Sequence, residues 1–492
     1  MPKPNPSKSS PDDIGSGAAS DKIPWKTKFI YGLGGQMDPI LTQMVLGALL
    51  LPIFNLGFGL SPTTIGVVLM GFRLYDALLD PLVGNISDNA RTRWGRRRPF
   101  IVVGAILSAL LLPFLWHLDP ALGDFAKSMH LLIYGILIYT AYTIWAMPYQ
   151  SLGMELTRNY DERTRISAWS TVIGIPFGLV GAWTFAFVSG SWFADPATGK
   201  PNLVLGVQTV SLIQAAFILV LGVLPGIFIK ERDYHAMTAR QAKEPFWASV
   251  RQTLQTKPLW TLAGVVFFNL LGLTSIAALG QYINIYFVNN GAIGNASMIE
   301  GWKITAMTLM SLASVPFWTW FCERTDKKTA LRLVLVGTFV GHGLNYFCLR
   351  PDMPYLQIIP AVFYSAISSS IWLITPSMRM DVADYDEYRT GSRREGSLSS
   401  VFSWAIKMAG TLSVGVGGLV LDLTGFVAKQ DVQTPETLQR MFWTYLLLPA
   451  VFWSISLWCL SKFRLDRKAM QAIRKRLDVR HRSASAVTEP VS

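Results

Sequence analysis

Twelve stretches of about twenty apolar residues recur along the whole of this chain, and an α-helix needs about that length to cross a bilayer. They lie near residues 29–53, 62–86, 100–118, 130–154, 167–191, 207–230, 259–288, 301–322, 331–350, 355–377, 397–424 and 440–461. The 492 residues are 51% hydrophobic and 15% charged, and mean hydropathy is +0.34. That is too apolar for an ordinary soluble domain, so the expected class is an all-α membrane protein with twelve transmembrane helices.

A net charge of +13 would suit a nucleic-acid binder, but the placement of the charges excludes that reading. One set of loops carries Arg91, Arg93 and Arg96 to Arg98, then Arg158, Arg163 and Arg165, then the basic residues of 230–257. The same side continues with Arg324, Lys327 and Lys328, then Arg379, Arg389, Arg393 and Arg394. The intervening loops are nearly bare, which makes the basic side cytoplasmic and puts both termini there. The expected organisation is a polar tail at 1–26, six helices over 27–230, a charged linker at 231–257, six helices over 258–461, and a basic tail at 462–492. Residues 1–24 lack an apolar core, so the first span should serve as the insertion signal. Glu244 to Arg251 in the linker reads as a short amphipathic helix at the membrane surface. The basic tail reads as a solvated segment beside anionic lipid. Cys322, Cys348 and Cys459 have no paired spacing, so neither a disulfide nor a metal site is expected.

Inside the second span, Asp76 and Asp80 sit one helical turn apart, with Arg73 a turn earlier on the same face. A carboxylate at membrane depth is costly and is kept where it pairs with something or moves something. Asp80 stands about seven residues before the turn at Ser87, hence about 10 Å deep. Two carboxylates this close need compensation: Arg73 and Lys407 can balance one, and the other must take H⁺ or Na⁺. The loop from Ser87 to Pro99 and that from Glu323 to Lys328 are each acidic first and then basic. They occupy matching places in the two halves, as parallel repeats would. Asp88 with Arg96, Arg97 and Arg98 in the first loop reads as a gate of cross-loop ion pairs. Asp381 and Asp384 in the other half read as partners of Arg379, Arg389, Arg393 and Arg394, or of that first loop.

The motif Arg73-x-x-Asp76-x-x-x-Asp80-Pro81, followed by Arg91-x-Arg-Trp-Gly-Arg-Arg-Arg-Pro-Phe-Ile101, resembles the glycoside–pentoside–hexuronide:cation symporters of the major facilitator superfamily. The members most alike are of the melibiose permease and sucrose transporter types. A second signature, from Asp381 to Gly396, lies in the other half. The resemblance implies the major facilitator fold, with 6+6 pseudo-symmetric halves, and secondary transport driven by H⁺ or Na⁺. It implies Asp76, Asp80 and Thr143 at the cation site, Lys407 answering them from the other half, and Trp372 near the sugar. The galactoside clamp of melibiose-type members is missing: Ala146 replaces an Asp, Gln150 replaces a Trp, and no Arg lies between Arg165 and Lys200.

The residues expected at a sugar are Asp38, Tyr142, Tyr149, Gln150, Trp372 and Lys407. Those expected at the ion are Arg73, Asp76, Asp80, Thr143 and Lys407. The expected partners are a small sugar or glycoside, H⁺ or Na⁺, and membrane lipid, with no cofactor and no nucleic acid. Alternatives are a symporter of a lysolipid, or a receptor on a transporter scaffold. No enzyme constellation appears in the sequence.

Overall fold

The computed structural model of the protein describes residues 22–157, 160–196, 198–231, 255–391, 395–427, 430 and 432–488. Among the described residues the structure is almost wholly helical. It runs α1 Trp25–Gly57, α2 Pro62–Asn89, α3 Arg98–Trp116, α4 Asp124–Glu155, α5 Tyr160–Ala182 and α6 Leu203–Phe228. The second half is α7 Lys257–Val288, α8 Ile293–Arg324, α9 Lys327–Gly343, α10 Pro354–Thr390, α11 Glu395–Leu423 and α12 Pro435–Lys462, followed by α13 Arg467–Thr488. Among the described residues, ten helices are long and apolar enough to cross a membrane. The other two expected spans are present as helices that miss on composition or length. α2 carries Arg73, Asp76, Asp80 and Asp88, while α9 has 17 residues and begins with two lysines.

Proline shapes the helices that line the interior. α1 turns at Gly35–Gln36 and then winds in π-helical turns over Ile40–Leu49 and Ile53–Gly57, each following a proline (Pro39, Pro52). A proline nitrogen cannot donate to the i−4 carbonyl, and the ladder slips to i−5, as in Phe58 N–H to Ile53 O at 3.1 Å. α10 loosens at Ser369–Ser370, where Ser370 Oγ bonds back to Ile367 O. Such breaks are tolerated at membrane depth where they are buried in protein or line a cavity.

α1 to α6 pack among themselves, as do α7 to α12, and the broadest contact between the halves is α2 against α11. Gly418 makes this possible, because a Cβ there would lie 2.3 Å from Pro62 O. One apolar core fills the first half and continues into the ends of α7, α11 and α12 that lie away from the termini. A second core sits in the other half on the termini side and stays within that half. Hydrogen bonds join the halves at the far end: Tyr282 Oη to Asn55 Oδ1 (2.9 Å), Thr63 N–H to Asp422 Oδ2 (2.9 Å), Trp183 Nε1 to Thr305 (3.1 Å), and Ser189 to Ser297 (2.8 Å). The molecule is thus closed at the end opposite its termini.

Two readings of the sequence are corrected and one is not reached. α2 continues past Ser87 to Asn89, so Asp80 lies nine residues from its end, about 13 Å. The basic tail is not simply solvated: α13 docks on α10, burying Met470 and Leu477. The Glu244–Arg251 helix lies outside the described residues.

Candidate functional site

Arg73, Asp76 and Asp80 on α2 lie where it meets α4 and α11, with Thr143 against Asp76, Lys407 against Asp80 and Gly410 against Arg73. Asp38 and Asp76 reach neighbouring positions on α4, Asp38 through Tyr142 and Asp76 through Thr143. The i, i+4 spacing holds both α2 carboxylates on the face that meets α4 and α11. Asp76 Oδ1 accepts from Thr143 Oγ1 at 2.7 Å. Asp80 Oδ2 takes an ion pair from Lys407 Nζ on α11, and this contact spans the two halves. The Lys407 side chain is nearly half exposed and that of Asp80 is 16% exposed, so the pair can be reached by water. Asp38, just past the turn in α1, accepts at Oδ1 from Tyr142 Oη (2.7 Å) and Thr42 Oγ1 (3.2 Å).

Arg73 behaves differently from the expectation. Rather than neutralising an α2 carboxylate by a direct ion pair, it donates Nη1 to Gly410 O on α11 at 3.0 Å. The i, i+3 position leaves its guanidinium reaching across the packing seam to a carbonyl of α11.

The expected sugar contacts divide. Tyr142 lies at the site through Asp38. Tyr149 is 7% exposed, stacked between Tyr31 and Trp145, and its hydroxyl donates to Tyr31 O at 2.7 Å. It is therefore a wall residue whose polar group is already used, which contradicts a direct sugar contact in this state. Gln150, the next residue, is exposed. Trp372 is 54% exposed, two residues past the loosened part of α10.

The expected gate is rebuilt by the structure. Arg96 and Arg97 pair with Glu155 at the end of α4, Arg97 at 2.8 Å. Glu231 accepts the backbone N–H groups of Arg96, Arg97 and Arg98 at 3.0, 2.8 and 3.1 Å, closing the start of α3. The Arg98 side chain donates to Gly226 O and Ile227 O. All these partners lie in the same half, so the loop braces its own bundle. Asp88 lies in the last turn of α2, and the expected part of its side chain in the gate falls outside what is described. Asp381 pairs with Lys327 (2.7 Å) and Arg474 (3.0 Å), and Asp384 with Arg474 (3.0 Å). This corrects the expected arginines: Arg379 lies over the Phe402 ring, Arg389 donates to Gln255 O, and Arg393 and Arg394 lie outside the described residues. The reason is helical phase, since a turn of helix carries Arg379 and Arg389 away from the face that the acids share with α9 and α13.

Several partners were not anticipated from sequence: Glu155, Glu231, Gly410, Arg474, and an ion pair of Glu300 with Lys303 on α8 (2.5 Å). The i, i+3 spacing of Glu300 and Lys303 was a usable signal, lost because Glu300 fell just outside the apolar window. Among the described residues, no group of three or more His, Cys, Asp or Glu could hold a metal ion.

Residues 30–467 match the family described as MFS/sugar transport protein. The chain is 25% identical over 450 residues to the isoprimeverose transporter of Lactiplantibacillus pentosus, covering 90% of each. It is 24% identical to the glucuronide carrier protein homolog of Escherichia coli K12, covering 94% of this chain and 97% of that one. It is also 24% identical to the sodium-dependent lysophosphatidylcholine symporter 1 of Mus musculus, covering 91% and 88%. Among solved structures, a bacterial homolog of the lysosomal transporter Spinster, inward-facing and unoccupied, superposes with a TM-score of 0.61. Identity there is 14%, over 90% of this chain and 97% of that one.

Proposed function

The chain belongs to the MFS/sugar transport protein family, and from that premise we propose that it couples the inward movement of H⁺ or Na⁺ to uptake of a sugar or glycoside. It is a multi-pass membrane transporter of the major facilitator fold and not an enzyme. With the termini cytoplasmic, as the basic loops argue, the closed end is external and the molecule is inward-facing.

The observation that carries this reading is the Asp80–Lys407 pair between the halves, beside a second carboxylate on the same helix face. A cation that neutralises the α2 doublet competes with Lys407 for it. Occupancy of the ion site therefore alters the strength with which α11 is held to α2, and a ligand biases a conformational equilibrium through such differential contacts. H⁺ is favoured over Na⁺. Sodium is a hard ion that needs several oxygens, and Asp76 has one hydroxyl neighbour, already donating to it. A proton needs a single lone pair.

The test is uptake into proteoliposomes, with pH and Na⁺ gradients imposed separately against a panel of sugars. Asp76→Asn and Asp80→Asn are expected to abolish accumulation while the protein still inserts. Full concentrative uptake by both variants would overturn the coupling role.

A lysolipid substrate is the second reading, and one feature favours it. A crevice of about 530 Å³ between α1, α5 and α6 is lined by Met44, Phe177, Val180, Ile213, Gln214 and Phe217, among others. It is apolar enough for an acyl chain. Uptake of lysophosphatidylcholine without any response to sugars would favour this reading over the first.

A further inference from the structure

Resting on the sugar-symport reading, we infer that the substrate is an uncharged glycoside, carried with one cation, and that uronates are excluded. Three carboxylates, Asp38, Asp76 and Asp80, face two basic side chains, Arg73 and Lys407. Lys407 pairs with Asp80, and Arg73 gives one of its five N–H donors to Gly410 O while keeping its charge. Asp38 and Asp76 are each satisfied at one oxygen, by Tyr142 and Thr42 and by Thr143. Among the described residues, nothing donates to Oδ2 of either one. Glu300 and Lys303 on α8 balance each other.

Two consequences follow. The site holds one negative charge in excess, which a single monovalent cation cancels. A neutral sugar then enters a balanced site, and its hydroxyls are the donors that Asp38 Oδ2 and Asp76 Oδ2 lack. A uronate brings a further carboxylate, and once one cation is bound the three carboxylates and two basic side chains leave no charge to cancel it. An uncompensated charge is disfavoured once the halves close around it and remove it from water. Bare carboxylate oxygens also repel it directly. The open acceptors thus select for hydroxyl-rich, uncharged rings.

Counterflow in proteoliposomes, which needs no ion gradient, tests this with matched pairs differing at C6: methyl β-glucoside against methyl β-glucuronide, and methyl β-galactoside against its uronate. The neutral member of a pair is expected to exchange on the order of tenfold or more faster. Asp38→Asn and Asp76→Asn are each made in parallel, and removal of the excess charge is expected to narrow the gap. Faster exchange of a uronate than of its neutral partner overturns the inference and leaves the sugar reading standing. A gap that neither variant narrows overturns its electrostatic origin. Exchange of lysophosphatidylcholine, with none of the four sugars moving, overturns the sugar reading and this inference with it.

Discussion

Glu162 sits in the first turn of α5, outside the membrane-spanning part, and takes three donors. They are the Lys28 ammonium at 2.7 Å, the Ile23 amide at 3.1 Å and the Arg165 guanidinium at 2.7 Å. Hydrogen bonding from Lys28, then from Ile23, pulls its pKa down from 4.5 to about 2. A carboxyl group held below its unfolded value contributes stability that is complete above the unfolded pKa and is lost as pH falls through the folded one. Thermal unfolding of the wild type and of Glu162→Gln should therefore differ by a constant amount above about pH 5. The difference should shrink between pH 4.5 and 2, and a gap independent of pH would contradict this account. The same lesson in geometry governs the site. Asp76 and Asp80 are spaced alike on one helix, yet one meets a hydroxyl and the other an ammonium. The i, i+4 spacing was legible in the chain, and the identity of each neighbour was not.

At the scale of the element, α13 changes the meaning of a basic segment. Its Met470, Ile473 and Leu477 share one helical face, with Met470 and Ile473 packing into the second core and Leu477 buried, while Arg474 on the same side forks to Asp381 and Asp384. Arg476 reaches the Tyr388 hydroxyl at 2.5 Å, and Asp326 accepts the Arg467 N–H at the start of the helix at 2.9 Å. Lys468 and Lys475 stand exposed on the opposite side. In the sequence these residues read as a charge run, because the apolar stripe is three residues wide and interrupted by cations. The Arg474 side chain is 54% exposed, so its pairs are worth about 1 kcal/mol once solvent screening is counted. Arg474→Ala should then make α13 open about fivefold more often. Limited trypsin digestion of the full chain measures this as faster cleavage at Lys468 and Lys475; an unchanged rate would argue that the apolar stripe alone holds the helix.

For the whole molecule, closure at one end is what gives the bundle a direction. Asp422, at the end of α11, accepts the Thr63 N–H and so caps α2 from the opposite half, next to the internal cap that Ser61 provides for Thr64. A helix cap is worth about 1 kcal/mol. Because this one spans the halves, its loss falls on the closed state and not on either bundle. Asp422→Ala, which leaves no acceptor for the Thr63 N–H, should shift the balance toward external opening by about fivefold. Spin labels at Phe187 and Met298, both exposed near the closed end, should then show a longer second distance, and an unaltered distribution would count against the cap.

Much of this was written in the chain itself. Span length, loop charge and helical spacing are local properties, so the all-helical class, the alternation of the loops and the Asp76–Asp80 face were readable one residue after another. Which groups satisfy one another was decided elsewhere. Lys407 meets Asp80 across 327 positions and Arg73 meets Gly410 across 337, contacts created when Gly418 lets α11 lie against α2. No periodicity encodes such a meeting, because a hydrogen bond depends on the phase and depth of two helices at once, and only packing fixes both.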